Sequence, residues 1–189
     1  MLCTLFLHHA ITHAFNLESD FSILVDEGMY VDPFECIPIP DGCKVEILGM
    51  GNVFIILLKS KAFTMSIRGN LTLWNIFLLN QQHSFGLYQL MDVNGGTPLL
   101  VISERALVLL YLVTIQASNK VVIVVYGQGS EVLMVNSFIK HSIIGFHLLS
   151  GAKMTFSAGS RFSDLSFHCC EVADGSDLSN VSFTSVISG

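Results

Sequence analysis

The chain has 189 residues and a mass of 20.7 kDa, room for one domain of ordinary size. It is 51% hydrophobic and only 13% charged, with a mean hydropathy of +0.62, against the roughly 25% charge of a typical soluble domain, so disorder is excluded. The longest apolar stretches, Val53–Leu58 and Ala106–Ile115, fall short of the roughly 18–20 residues a spanning helix needs, and nine scattered basic residues in a net charge of −6 argue against a nucleic-acid footprint.

Taken in order, residues 1–20 begin with MLCTLFLHHAITHAFN. The apolar Leu2–Leu7 before His13–Ala14 has some character of a secretory signal, but no Lys or Arg precedes it and two histidines interrupt it. The other reading is an amphipathic segment covering one end of the fold. The compartment stays open, secretion included. Cys3, Cys36, Cys43, Cys169 and Cys170 make an odd set without regular spacing. Buried free thiols therefore explain them better than a disulfide framework.

Beyond residue 20, helix signals are nearly absent. Short runs of Val, Ile, Leu and Phe alternate with Gly, Asn, Ser and Asp, which predicts strands joined by turns. The expected strands include Lys44–Leu48, Val53–Leu58, Leu71–Leu79, Leu99–Ile102, Leu107–Ile115, Val121–Tyr126 and Val132–Val135. The all-apolar runs Val121–Val125 and Leu107–Leu110 suggest strands buried on both sides, as in parallel sheets.

The spacing also repeats. Val113-Thr114-Ile115, Leu133-Met134-Val135, Met154-Thr155-Phe156 and Val181-Ser182-Phe183 suggest successive coils. A second series, Asn136-Ser137-Phe138, Ser160-Arg161-Phe162 and Val181-Ser182-Phe183, suggests a Phe ladder. Phe156 and Phe183 are expected to point inward on stacked rungs.

These patterns resemble right-handed parallel β-helix proteins of the pectate-lyase-like superfamily. Phe21–Tyr30, FSILVDEGMY, is similar to their opening strand. Ile37–Gly51 resembles a first complete coil and Phe63–Ile76 a second. The resemblance implies an all-β, single-stranded right-handed parallel β-helix over residues 21–189, with residues 1–20 as cap or signal. The pattern stops in mid-course at Gly189, so an incomplete last coil is expected. The alternative is an antiparallel β-sandwich or jelly roll.

Few motifs carry chemistry. Gly49-Met50-Gly51-Asn52 has the glycine spacing of a phosphate loop but precedes a strand rather than a helix, so a turn is expected. Gly127-Gln128-Gly129-Ser130 reads the same way, and no cofactor is expected. His8, His9 and His13 have helical metal-ligand spacing without a nearby carboxylate. The adjacent Cys169 and Cys170 point to opposite faces of a strand, too far apart for one metal.

Polysaccharide-cleaving β-helices work with clustered acids, which makes Asp164, Asp174 and Asp177, with Glu171 near them, the catalytic candidates. Turn aspartates bonding their own backbone are the commoner state. No paired-acid, His-Gly or Arg-x-Lys signature accompanies them. The expectation is a non-enzymatic binding or structural module for a protein or polysaccharide partner. The alternative is a carbohydrate-active enzyme, a lyase or glycoside hydrolase, or a fragment of one. Self-association through the C-terminal coil is also expected, because Ser176–Gly189 shows no covering segment.

Overall fold

The computed structural model describes residues 20–32, 36–58, 64–81, 98–117, 121–140, 144–157, 159–163, 168–173 and 175–179. These residues form strands and turns only. In chain order the strands are β1 (Phe21–Asp32), β2 (Cys36–Ile39), β3 (Lys44–Leu58), β4 (Thr64–Ile67), β5 (Asn70–Gln81), β6 (Leu100–Ile102), β7 (Leu107–Tyr111) and β8 (Thr114–Ala117). There follow β9 (Val121–Tyr126), β10 (Glu131–Val135), β11 (Phe138–Lys140), β12 (Ile144–Leu149), β13 (Lys153–Phe156), β14 (Arg161–Ser163), β15 (His168–Val172) and β16 (Asp177–Ser179).

Every strand pairing among the described residues is parallel. The antiparallel sandwich is thereby excluded, and the chain is a parallel β-solenoid. Its coil has three faces. The first runs through the N-terminal halves of β1, β3 and β5, then β7, β10, β13 and β16. The second runs through the C-terminal halves of β1, β3 and β5, then β8, β11 and β14. The third is the six-stranded sheet β2-β4-β6-β9-β12-β15. Rungs recur at Leu107, Glu131, Lys153 and Asp177, a coil of about 22–24 residues. One coil is longer: Asn70 and Leu107, neighbours on the first face, stand 37 residues apart.

The interior is built from columns of equivalent residues. On the first face Ile47, Leu73, Leu110, Met134 and Phe156 stack inward, and on the third Ile39, Ile67, Ile102, Val125 and Leu148 do so; all are buried. Val172, next in the third-face column, is 44% exposed. Near the C-terminal end each face contributes one ring. Phe146, Phe156 and Phe162 meet with centroids 5.3–5.5 Å apart, in edge-on and tilted pairs that aromatic quadrupoles favour.

The inward placement expected for Phe156 holds; Phe183 lies outside the described residues. The proposed ladders do not hold. Ile115 pairs with Ile139, and Leu133 pairs with Leu109 and Thr155. Phe138 faces outward opposite Arg161, while Phe162 stacks inward on Ile139. Those registers are off by one residue or more, and a one-residue slip moves a side chain to the opposite face.

The corners explain the slips. The run Leu107–Ile115 is two strands separated at Leu112-Val113, with Leu112 in the left-handed region at φ 55°. The next coil turns the same corner on Asn136 at φ 47° and the following one on Gly159 at φ 92°. After the left-handed residue, buried Ser137 ties neighbouring coils together. Its Oγ accepts from the Val113 N–H at 3.0 Å and lies 3.1 and 2.9 Å from the Leu110 and Val135 carbonyls, either of which takes its proton. Ser160 repeats the device, donating to the Met134 carbonyl at 3.1 Å.

The other well-described corner leads from the third face to the first. Its turns close with Ala106 N–H on Ser103 O, Ser130 on Gly127, Ala152 on Leu149 and Ser176 on Ala173, at 3.1–3.3 Å. The residue entering the first face there is always small: Cys43, Gly69, Ala106, Ser130, Ala152, Ser176. A Cβ on Gly69 would run into the carbonyls of Pro40 and Cys43.

Candidate functional site

Of the two apolar runs expected to be buried on both sides, Val121–Val125 keeps the consecutive Val122 and Ile123 buried, whereas Leu107–Leu110 does not. β7 alternates, with Val108 and Leu110 buried and Leu107 48% exposed. A solenoid strand has a core on one side only, so the surplus of apolar residues comes to the outer surface. Leu24, Met29, Met50, Trp74, Leu107 and Leu112 are all exposed.

On the first face these side chains fall into three outward columns. The column at the strand starts is charged at its ends: Asp20, Lys44, Asn70, Leu107, Glu131, Lys153 and Asp177. The middle column is Ser22, Glu46, Thr72, Leu109, Leu133 and Thr155. The third is apolar: Leu24, Leu48, Trp74, Tyr111 and Val135. At its centre the Trp74 and Tyr111 rings lie 4.6 Å apart at 43°. Trp74 is the single tryptophan of the chain and is 46% exposed. Neither ring was singled out from the sequence, and the uniformly apolar Leu107–Tyr111 gave no alternation that could have done so.

Two ion pairs within the chain hold four of the charges around this strip. Lys44 Nζ lies 2.8 Å from Glu46 Oε1, and Ser22 donates to Glu46 at 2.6 Å. The hydrogen bond from Lys44, then that from Ser22, holds the Glu46 carboxyl below its ordinary range; the same bond with Glu46 raises Lys44. One end of the face is thus closed by a cation–anion pair. At the other end Lys153 Nζ lies 3.2 Å from Glu131. With Asp20 and Asp177 left over beyond the two pairs, the face is slightly acidic, and a polyanion gains no electrostatic steering toward it.

Of the acids expected from the sequence, Asp164 and Asp174 lie outside the described residues, as do His8, His9 and His13. Asp177 is exposed and opens β16, opposite Lys153 in the charged column. Glu171 pairs along the backbone with His147 on the third face. Among the described residues no group of three or more His, Cys, Asp or Glu gathers at metal-binding distance. No described helix is long and apolar enough to cross a membrane.

The two glycine motifs are corners. Gly49-Met50-Gly51-Asn52 is a bulge inside β3, opposite the single Asn75 of β5. Asn75, at φ 54°, donates its amide to the carbonyls of Gly49 and Gly51 at 3.2 and 2.8 Å. A Cβ on Gly49 would collide with the Asn75 carbonyl. Gly127–Ser130 is a turn closed by its own backbone.

Fold and surface together define the class: a parallel β-solenoid with an apolar, aromatic strip along one lateral face. Comparison with family models, curated proteins and solved structures finds no match in any of the three.

Proposed function

We propose that the protein is a non-enzymatic binding module whose first face recruits a protein or glycan partner. The observation that carries this reading is the outward apolar strip centred on exposed Trp74 and half-buried Tyr111. Contiguous apolar surface rimmed by polar residues marks interaction sites on soluble proteins. Exposed aromatic rings are the usual anchors of such surfaces. The three-faced coil of about 22–24 residues supports placing the fold near the pectate-lyase-like β-helices, where the same scaffold serves many activities.

The test is incubation with polygalacturonate, alginate and neutral polysaccharides in the presence of Ca²⁺, with Trp74 emission followed alongside. No release of unsaturated or reducing ends is expected. A saturable change in Trp74 emission identifies a glycan partner, and its absence directs the search to proteins. Release of new ends that disappears in Asp174→Ala or Asp177→Ala would overturn the module reading in favour of an enzyme.

A further inference from the structure

Taking the first face as the contact surface proposed above, we infer that its occupant is a second copy of the same chain, docked face to face about a two-fold axis. The column at the strand starts carries this. Over six rungs it reads Asp20, Lys44, Asn70, Leu107, Glu131, Lys153, or minus, plus, neutral, neutral, minus, plus. Read backwards, every charge meets its opposite and the two neutral positions meet each other. The column is its own electrostatic complement.

A two-fold axis lying in the interface along the strand direction, between the β5 and β7 rungs, performs that reversal. It keeps each residue's place along the strand and inverts the order of rungs. Lys44 then faces Glu131 of the second copy, Asp20 faces Lys153, and symmetry repeats each contact. The same operation lays the apolar column on itself: Trp74 meets Tyr111 and Leu48 meets Val135. In the middle column Ser22 meets Thr155 and Thr72 meets Leu109. Glu46 meets Leu133, with its carboxylate already held by Lys44 and Ser22.

Two sheet faces pack about 10 Å apart with side chains interdigitating. Trp74, Leu107 and Leu24, 46%, 48% and 64% exposed in the single chain, are the side chains such packing would cover. Asp177, the seventh member of the column, falls outside the reversed set.

Sedimentation of the full chain over concentrations on the order of 1–100 μM, with Trp74 emission in parallel, tests the arrangement. A concentration-dependent dimer is expected, with blue-shifted emission and reduced acrylamide quenching of Trp74 as it forms. Lys44→Glu and Glu131→Lys should each raise the dimer Kd about tenfold or more, because two sign-matched contacts become repulsive. The double variant should return the Kd to within about threefold of the parent. That rescue is specific to the interface, since within one chain Lys44 pairs with Glu46 and Glu131 with Lys153. Circular dichroism checks that each variant keeps its fold, and the Trp74 readout on the parent needs no variant.

A parent chain that stays monomeric over this range, with unshifted emission, would overturn the dimer. So would an oligomer unmoved by these variants, which would place association at another surface such as the C-terminal coil. Polysaccharide cleavage sinks the binding-module reading whatever the oligomeric state, so the two failures are separable.

Discussion

The N-terminal rungs and the later coils follow the same path but turn one corner by different means. In β1, β3 and β5 the chain crosses from the first face to the second within continuous strands of 12, 15 and 12 residues, although Asn75 of β5 already takes the left-handed conformation at that corner, at φ 54°. The bend is absorbed by a bulge at Gly49–Asn52 and by register shifts between paired strands. From β7 onward the left-handed position, which Asn75 already holds in β5, breaks the strand, and the break is sealed by serine. A solenoid needs only that successive coils stack in register; how each coil bends is a local matter. The later coils place serine hydroxyls at the corner, buried at Ser137 and half-buried at Ser160, and the N-terminal rungs place the Asn75 amide there.

The largest effect that separates the two regions should come from the aromatic cluster. Phe146→Ala removes a fully buried ring that touches both Phe156 and Phe162 and should cost about 3–5 kcal/mol. Each coil touches only its neighbours. Hydrogen exchange should therefore show lost protection in β10–β15 while β1, β3 and β5 keep theirs. Uniform loss along the whole stack would show the two regions to be one cooperative unit.

Next comes the serine seal. Ser137→Ala leaves the Val113 N–H buried without its acceptor and should cost about 1–3 kcal/mol by denaturant unfolding. An unchanged midpoint would mean the break is held by backbone bonds alone. Leu112 offers a change of the opposite sign. It is a bulky residue at φ 55° where equivalent corners use Asn or Gly, a conformation costing about 1–2 kcal/mol for most L-residues. Leu112→Asn should raise stability by up to about 1 kcal/mol, read as a higher melting temperature.

The smallest effect belongs to the N-terminal rungs. Because Glu46 titrates below its ordinary range when folded, its contribution is present above the unfolded pKa and is lost as pH falls through the folded value. Lys44, raised by the same partner, contributes below its unfolded value and loses that contribution as pH climbs through the folded one. Glu46→Gln should flatten the acid limb of the stability profile slightly and leave the β7–β15 region unaffected. Both groups are solvent-exposed, so the change should also shrink with added salt.

The solenoid itself was legible from the punctuated apolar runs and their recurrence, because stacking demands a repeat and a repeat leaves its mark on sequence. The register was not. Asn75, Leu112, Asn136 and Gly159 occupy the left-handed corner positions, yet they span three residue types, so aligning the coils by their Phe and Ser residues slid them against one another. The lateral strip was missed for a related reason: Leu107–Leu110 is apolar throughout, and a run of that kind does not say which of its side chains lacks a second layer.

Composition and punctuation by themselves determined an all-β chain of short strands with an apolar interior, and the coil pattern pointed to a solenoid; the parallel pairing of every described strand is what excluded the antiparallel sandwich. Only the tertiary structure decided which apolar residues face out. With a period of two, the outcome at each position depends on where the corner residue falls one coil earlier. The same corners bring Lys44, Glu131 and Lys153, far apart in sequence, into one column with Asp20, and set Trp74 beside Tyr111 across a 37-residue step.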